Sequence, residues 1–154
     1  MQTGSFRNNW LSENKLAEIE FIPSVTSKIE DGIYSNRNGD RQLHRIPGSI
    51  FETKLDLTHP LCFGYTLDKL PVFKTGAPAV QKDANIYNNP VIYTAKPLLS
   101  GYCSKENVER IVGTSFASVH GNRIISIYDN TNFRAIWYGT NKIFMNALFF
   151  GQMM

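Results

Sequence analysis

The stretch SIYDNTNFRAIWYGTNKIFMNALFFGQMM, residues 126–154, is the densest aromatic run in the chain. It opens as a strand, passes through the polar turn Asp129-Asn130-Thr131-Asn132, and resumes after Gly139 with Ile143, Phe144, Ala147 and Leu148 at helical spacing. Strand, polar turn and helix in that order are the parts from which α/β sheets build ligand sites at strand ends. The spacing reads the final helix as the core-packing last helix of the domain. Phe133, Trp137, Tyr138, Phe144, Phe149 and Phe150 are therefore expected mainly in the interior. Two other readings of the same set stay open: a platform for stacking a sugar or peptide, and a helix that docks on a partner.

Working outward, TSFASVH (114–120) and RIISIYD (123–129) read as two strands joined at Gly121-Asn122, a hairpin composition. KPLLSGY leads to Ser104, the N-cap of a helix over SKENVERIV that Gly113 closes. SIFETKLDL (49–57), LPVFK (70–74) and PVIYTA (90–95) read as strands, and LAEIEFI (16–22) as a strand or extended segment ended by Pro23. Phe6, Trp10 and Leu11 form one apolar helical stripe. Residues 24–45 are polar, with turns at Asp31-Gly32 and Asn38-Gly39, and read as an irregular surface excursion. Strands mixed with helices over 154 residues predict a single α/β or α+β domain, residues 1–154, with helices packed on a sheet.

Composition narrows the function classes. Hydrophobic residues at 42% and charged residues at 19% are ordinary for a globular chain. A net charge of +3 without a Lys/Arg stripe gives no footprint for nucleic acid. No apolar run reaches the roughly 18 residues of a membrane span, and the N-terminal MQTGSFRNNWLSENK lacks the apolar core of a signal peptide.

The chemical motifs fail one by one. The histidines are His44, His59 and His120, and three residues after them stand Pro47, Cys62 and Arg123, so no His-x-x-Glu zinc pair begins here and no metal ligand is assigned. Phosphate-cradling glycine loops are missing, and GTNKIF (139–144) puts Phe144 where a guanine-reading Asp would stand. Neither Cys62 (LCFGY) nor Cys103 (GYCSK) sits on a glycine-flanked elbow. The two could form one disulfide, although their apolar surroundings suit buried free thiols. Cys103 does precede a helix start, which would favour a thiolate, so a thiol hydrolase using Cys103 with His120 or His59 is a second function class. On the turn, an Asp129–Arg134 ion pair is expected to fix the geometry, in a role that is geometric rather than energetic.

Three stretches taken together, RIPGSIFETKLDLTHPLCFGY (45–65), PLLSGYCSKENVERI (97–111) and IYDNTNFRAIWYGTNKIFMNALFFG (127–151), resemble the C-terminal region of large secreted zinc carboxypeptidases of the carboxypeptidase A superfamily from Bacteroidetes and related bacteria. That region is similar to class I glutamine amidotransferases, so the resemblance implies a flavodoxin-like α/β sheet, here incomplete. It also implies an exported metallocarboxypeptidase as parent, with zinc held only in a separate peptidase domain and none in this chain. Working amidotransferases carry a His-x-Glu at the end of a late strand. If RIISIYD is that strand, Asp129-Asn130-Thr131 stands in its place, supplying no base for a thiol and no carboxylate to orient one. The expectation is a non-catalytic accessory domain that packs on the peptidase domain or binds a peptide or glycan. Asp129, Asn130, Asn132, Arg134 and Trp137 are the candidate binding residues, and no residue is assigned a catalytic role.

Overall fold

The protein is described by a computed structural model covering residues 17–23, 33–38, 45–76, 78–121 and 124–154. The stripe at Phe6, Trp10 and Leu11, most of the 24–45 excursion, its Asp31-Gly32 turn and Gly39 of its second turn lie outside the described residues.

Among the described residues seven strands make one sheet: β1 (Phe21–Ile22), β2 (Ser49–Leu55), β3 (Lys69–Lys74), β4 (Ala79–Val80), β5 (Val91–Ser100), β6 (Ser115–His120) and β7 (Ile124–Ile127). Among the described residues two α-helices of at least seven residues accompany it, α1 (Lys105–Ile111) and α2 (Asn141–Phe150). The sheet order is β1-β4-β6-β5-β2-β3. Ser115 of β6 faces both Val80 and Ile92, and Ala117 faces both Val91 and Ile127. β4 and β7 therefore share one edge of β6 end to end, while β5 takes the other.

The chain is thus α/β in composition, but the flavodoxin-like arrangement needs correction: every described strand pairing is antiparallel. A parallel pair needs a crossover that returns the chain to the same end of the sheet, usually over a dozen or more residues. The seven-residue α1 makes no such crossing. It joins β5 to its antiparallel neighbour β6, so the chain turns round at one end of the sheet instead of passing over its face.

Local chemistry explains the elements. Along β2 the side chains of Ser49, Phe51, Thr53 and Leu55 are buried while the alternate residues are partly or fully open, the period of two expected of a strand with one covered face. β6 is buried at all six positions, as a central strand covered on both faces must be. β5 runs on beyond the expected 90–95 span. Phe51 pairs with Leu98 but Thr53 with Tyr93, so Thr94–Pro97 form a bulge, which is where a strand accommodates a proline. Ser104 caps α1 through its Oγ, which accepts from the Asn107 N–H. The core is centred on aromatic edge-to-face contacts across three strands: Phe51 with Tyr93 at 6.0 Å, and Tyr93 with Phe116 at 6.1 Å.

Gly101 terminates β5 with φ +94, and a Cβ there would stand 2.9 Å from the Ser49 Cα. The neighbouring Ser49 Oγ donates to the Tyr102 carbonyl at 2.6 Å, so the two segments cannot separate freely. Gly101→Ala is expected to lower stability by about 2–3 kcal/mol in urea unfolding. Gly113→Ala, whose Cβ meets nothing within 4 Å at φ +68, should lose only about 1 kcal/mol.

Candidate functional site

The turn after β7 is built around Asp129, and its carboxylate points inward. Lys74 Nζ donates to Oδ1 at 3.0 Å and Oδ2 at 2.8 Å, and the Tyr93 hydroxyl donates to Oδ2 at 2.7 Å. The ammonium's remaining donor reaches the Pro78 carbonyl at 2.8 Å. The side chains of Lys74 and Asp129 are only 1% and 3% exposed. Strand phase puts them there. Lys74 is the last inward position of β3, and Tyr93 is an inward position of β5. Burial, then the adjacent carboxylate, pushes the Tyr93 phenol well above its ordinary value, which keeps it a neutral donor.

The expected Asp129–Arg134 pair is corrected by this arrangement. Arg134 is exposed, and its guanidinium lies over the Phe133 ring at 5.2 Å. The buried position of Asp129 leaves no room for a long guanidinium when a lysine from β3 already fills the site. Arg134 and Ala135 instead have positive φ, 49° and 51°, in a tight left-handed step that lets the chain reverse. Asn130 Oδ1 accepts from the Asn132 N–H at 2.9 Å, an Asx turn whose two residues are exposed. Trp137 is half-buried, with its indole N–H on the Pro71 carbonyl at 3.3 Å and its ring 6.1 Å from Phe73. Of the five candidate binding residues, Asn130, Asn132 and Arg134 face solvent together, Trp137 lies against β3, and Asp129 is committed to the interior.

The thiol route is met by two protonated cysteines. Both are free, and burial pushes Cys62 up to about 12. Burial also raises Cys103, and the opposing pull of Arg110 and Lys74 does not reverse it. His59 is occupied as a cap, its Nδ1 accepting from the Leu61 N–H at 3.1 Å. His120 has partners on both ring nitrogens: Asp83 Oδ2 at 3.1 Å from Nδ1, and Ser118 Oγ at 2.7 Å from Nε2.

That cluster is the polar constellation sequence reasoning missed. Carboxylate, imidazole and hydroxyl stand in the order of a serine nucleophile relay. Ser118, however, is 1% exposed, and the Tyr128 hydroxyl lies 2.5 Å from its Oγ. An acyl carbon has no approach to that oxygen, so the cluster is a closed hydrogen-bonded network. Its one legible trace is Ser118-Val119-His120, an i, i+2 pair that must share a strand face.

The final helix departs from its expected role. Its inward stripe is Ile143, Asn146, Ala147 and Phe150, not Phe144 and Leu148. The cause is Asn146, whose amide donates to the carbonyls of Leu61 and Phe63, each at 2.9 Å. Lys142 adds a bond to the Gly64 carbonyl at 2.8 Å and lies over the Tyr65 ring. These polar fixings rotate α2 so that Phe144, Met145, Leu148 and Phe149 face solvent, the last two 65% and 73% exposed. Tyr138 is also exposed, so the aromatic set is divided between interior and surface.

Lys74→Met is expected to lower stability by about 3–5 kcal/mol in urea unfolding, because it strands a buried carboxylate. Adding Asp129→Asn to it should restore part of that loss, since the charge is gone while Tyr93 keeps an acceptor. Arg134→Gly should raise stability by up to about 1 kcal/mol by relieving a left-handed non-glycine residue; an Asp129 partner would instead be missed.

Among the described residues, no group of three His, Cys, Asp or Glu side chains converges to hold a metal ion, and no helix is long and apolar enough to cross a membrane. Comparisons of the chain with family models, with curated proteins and with solved structures found no match.

Proposed function

We propose that this chain is a non-catalytic packing module that docks on another protein surface through the outer face of α2. One observation carries the reading: Phe144, Met145, Leu148 and Phe149 form a continuous apolar face on a helix whose other side is pinned by Asn146 and Lys142. A helix held this firmly does not roll to hide those side chains. Phe63, itself exposed, meets Phe150 at 5.2 Å and widens the apolar surface toward the 60–65 segment. Contiguous apolar surface of this kind marks interaction sites in folded proteins.

The polar groups fit this role. The candidate thiols are held protonated, the serine–histidine network is closed, and the Asp129 carboxylate serves the interior. The sequence resemblance would make the partner a zinc peptidase domain of an exported parent protein, with a peptide or glycan as the alternative ligand. The stretches 45–65, 97–111 and 127–151 are what support that narrower identity.

The reading is tested with Leu148→Glu/Phe149→Glu. The wild-type chain should bind an apolar reporter dye and show concentration-dependent association in sedimentation velocity. The double variant should lose both while its melting temperature shifts by no more than about 3 °C, since both side chains are exposed. A wild-type chain that stays monodisperse and leaves the dye dark would overturn the proposal.

A further inference from the structure

The network Asp83–His120–Ser118–Tyr128 joins the connection after β4, the end of β6 and the segment after β7. A carboxylate only accepts, so the Asp83 contact at 3.1 Å places a hydrogen on His120 Nδ1 whatever the charge of the ring. The question is then what Nε2 does. With a neutral ring, Nε2 accepts from the Ser118 hydroxyl at 2.7 Å, and Ser118 Oγ accepts from Tyr128 at 2.5 Å. With a charged ring both bonds reverse: Nε2–H donates to Ser118, and Ser118 donates to Tyr128. The Tyr128 oxygen then accepts from Ser118 in place of donating to it. Every polar atom keeps a partner in both states.

We propose that this network is a proton-accommodating clamp, holding the 83–89 connection against β6 in both charge states of His120. Among the described residues, the titratable groups hydrogen-bonded to the ring are Asp83, from that connection, and Tyr128, from the segment after β7. Burial raises the Tyr128 phenol, so it remains a neutral donor and acceptor. Burial works against the Asp83 carboxylate too, but the Asn85 N–H, the Asn88 side chain and His120 outweigh it and hold the group below its ordinary value. A depressed carboxylate stabilises the fold above its unfolded value, and that hold is lost only as pH falls through the lowered folded value.

The clamped segment is itself ordered from Asp83. Its Oδ1 accepts from the Asn85 N–H at 2.8 Å, and the Asn89 amide donates to the carbonyls of Asp83 and Asn85 at 3.0 and 2.9 Å. The tip thus presented carries Ile86 and Tyr87, both exposed. The clamp keeps that tip in one place while a histidine within it gains or loses a proton. It stands independently of any docking at α2.

The test follows the His120 ring nitrogens by ¹⁵N NMR across its titration, together with exchange protection of the Asn85, Tyr87 and Asn88 amides. The neutral ring should carry its hydrogen on Nδ1, and protection should stay level as the ring charges. Tyr128→Phe removes the last reversible hydroxyl, so protection should match wild type with a neutral ring and fall about fivefold with a charged one. A neutral ring protonated at Nε2, wild-type protection that falls as the ring charges, or identical profiles for Tyr128→Phe and wild type would each overturn the proposal. The wild-type profile decides by itself should the variant fold poorly.

Discussion

An ammonium group taken out of water is tolerated only where every one of its donors finds a partner, and Lys74 meets that condition at a single geometry. Its three hydrogen bonds reach Asp129 twice and the Pro78 carbonyl once. Isolated, either charge would be expensive to bury, so the end of β3 and the exit of β7 must coincide in space. Tyr93, shared with the aromatic core, ties the pair to β5. Once Asp129 is fixed, the chain beyond it has few choices. The buried Thr131 carbonyl accepts from Thr140 Oγ1 at 2.6 Å, which closes the turn and sets the start of α2.

The sequence was most readable where a local rule had no competitor. The hairpin of β6 and β7, the Ser104 cap and the placement of α2 after Gly139 all follow from short-range chemistry. Strand direction was not readable in that way. Alternation fixes which residues face inward, but it is the same in parallel and antiparallel strands, so β5 and β6 gave no sign of how they pair. The final helix shows a different limit. Ile143, Phe144, Ala147 and Leu148 repeat as a core stripe should, yet a single asparagine takes an interior position by donating to two carbonyls of the 60–65 segment. Helical spacing weighs apolar residues only, and Asn146 is invisible to it.

The candidate site was legible as a place and misread in its bonding. The turn at 129–137 does gather polar and aromatic residues, and sequence proximity made Arg134 the natural partner of Asp129. The true partner lies 55 positions away in the chain, at the end of another strand. Ser118 and His120 could be paired from their spacing on β6, but Asp83 and Tyr128 join them only through the sheet. In both clusters the residue types of catalysis are present, and they are largely buried and hydrogen-bonded to one another.

The position of Pro71 reaches further than the turn it touches. β3 is an outer strand of the sheet, and a proline there offers no N–H to an approaching chain. Trp137 occupies the Pro71 carbonyl as well, so the middle of this border has neither donor nor acceptor to spare. At the opposite border β1 spans only two residues, too short to template a longer strand. At these two borders the sheet is therefore poorly suited to annexing strands from its neighbours, which confines any such pairing to β7, a four-residue strand bonded to β6 alone.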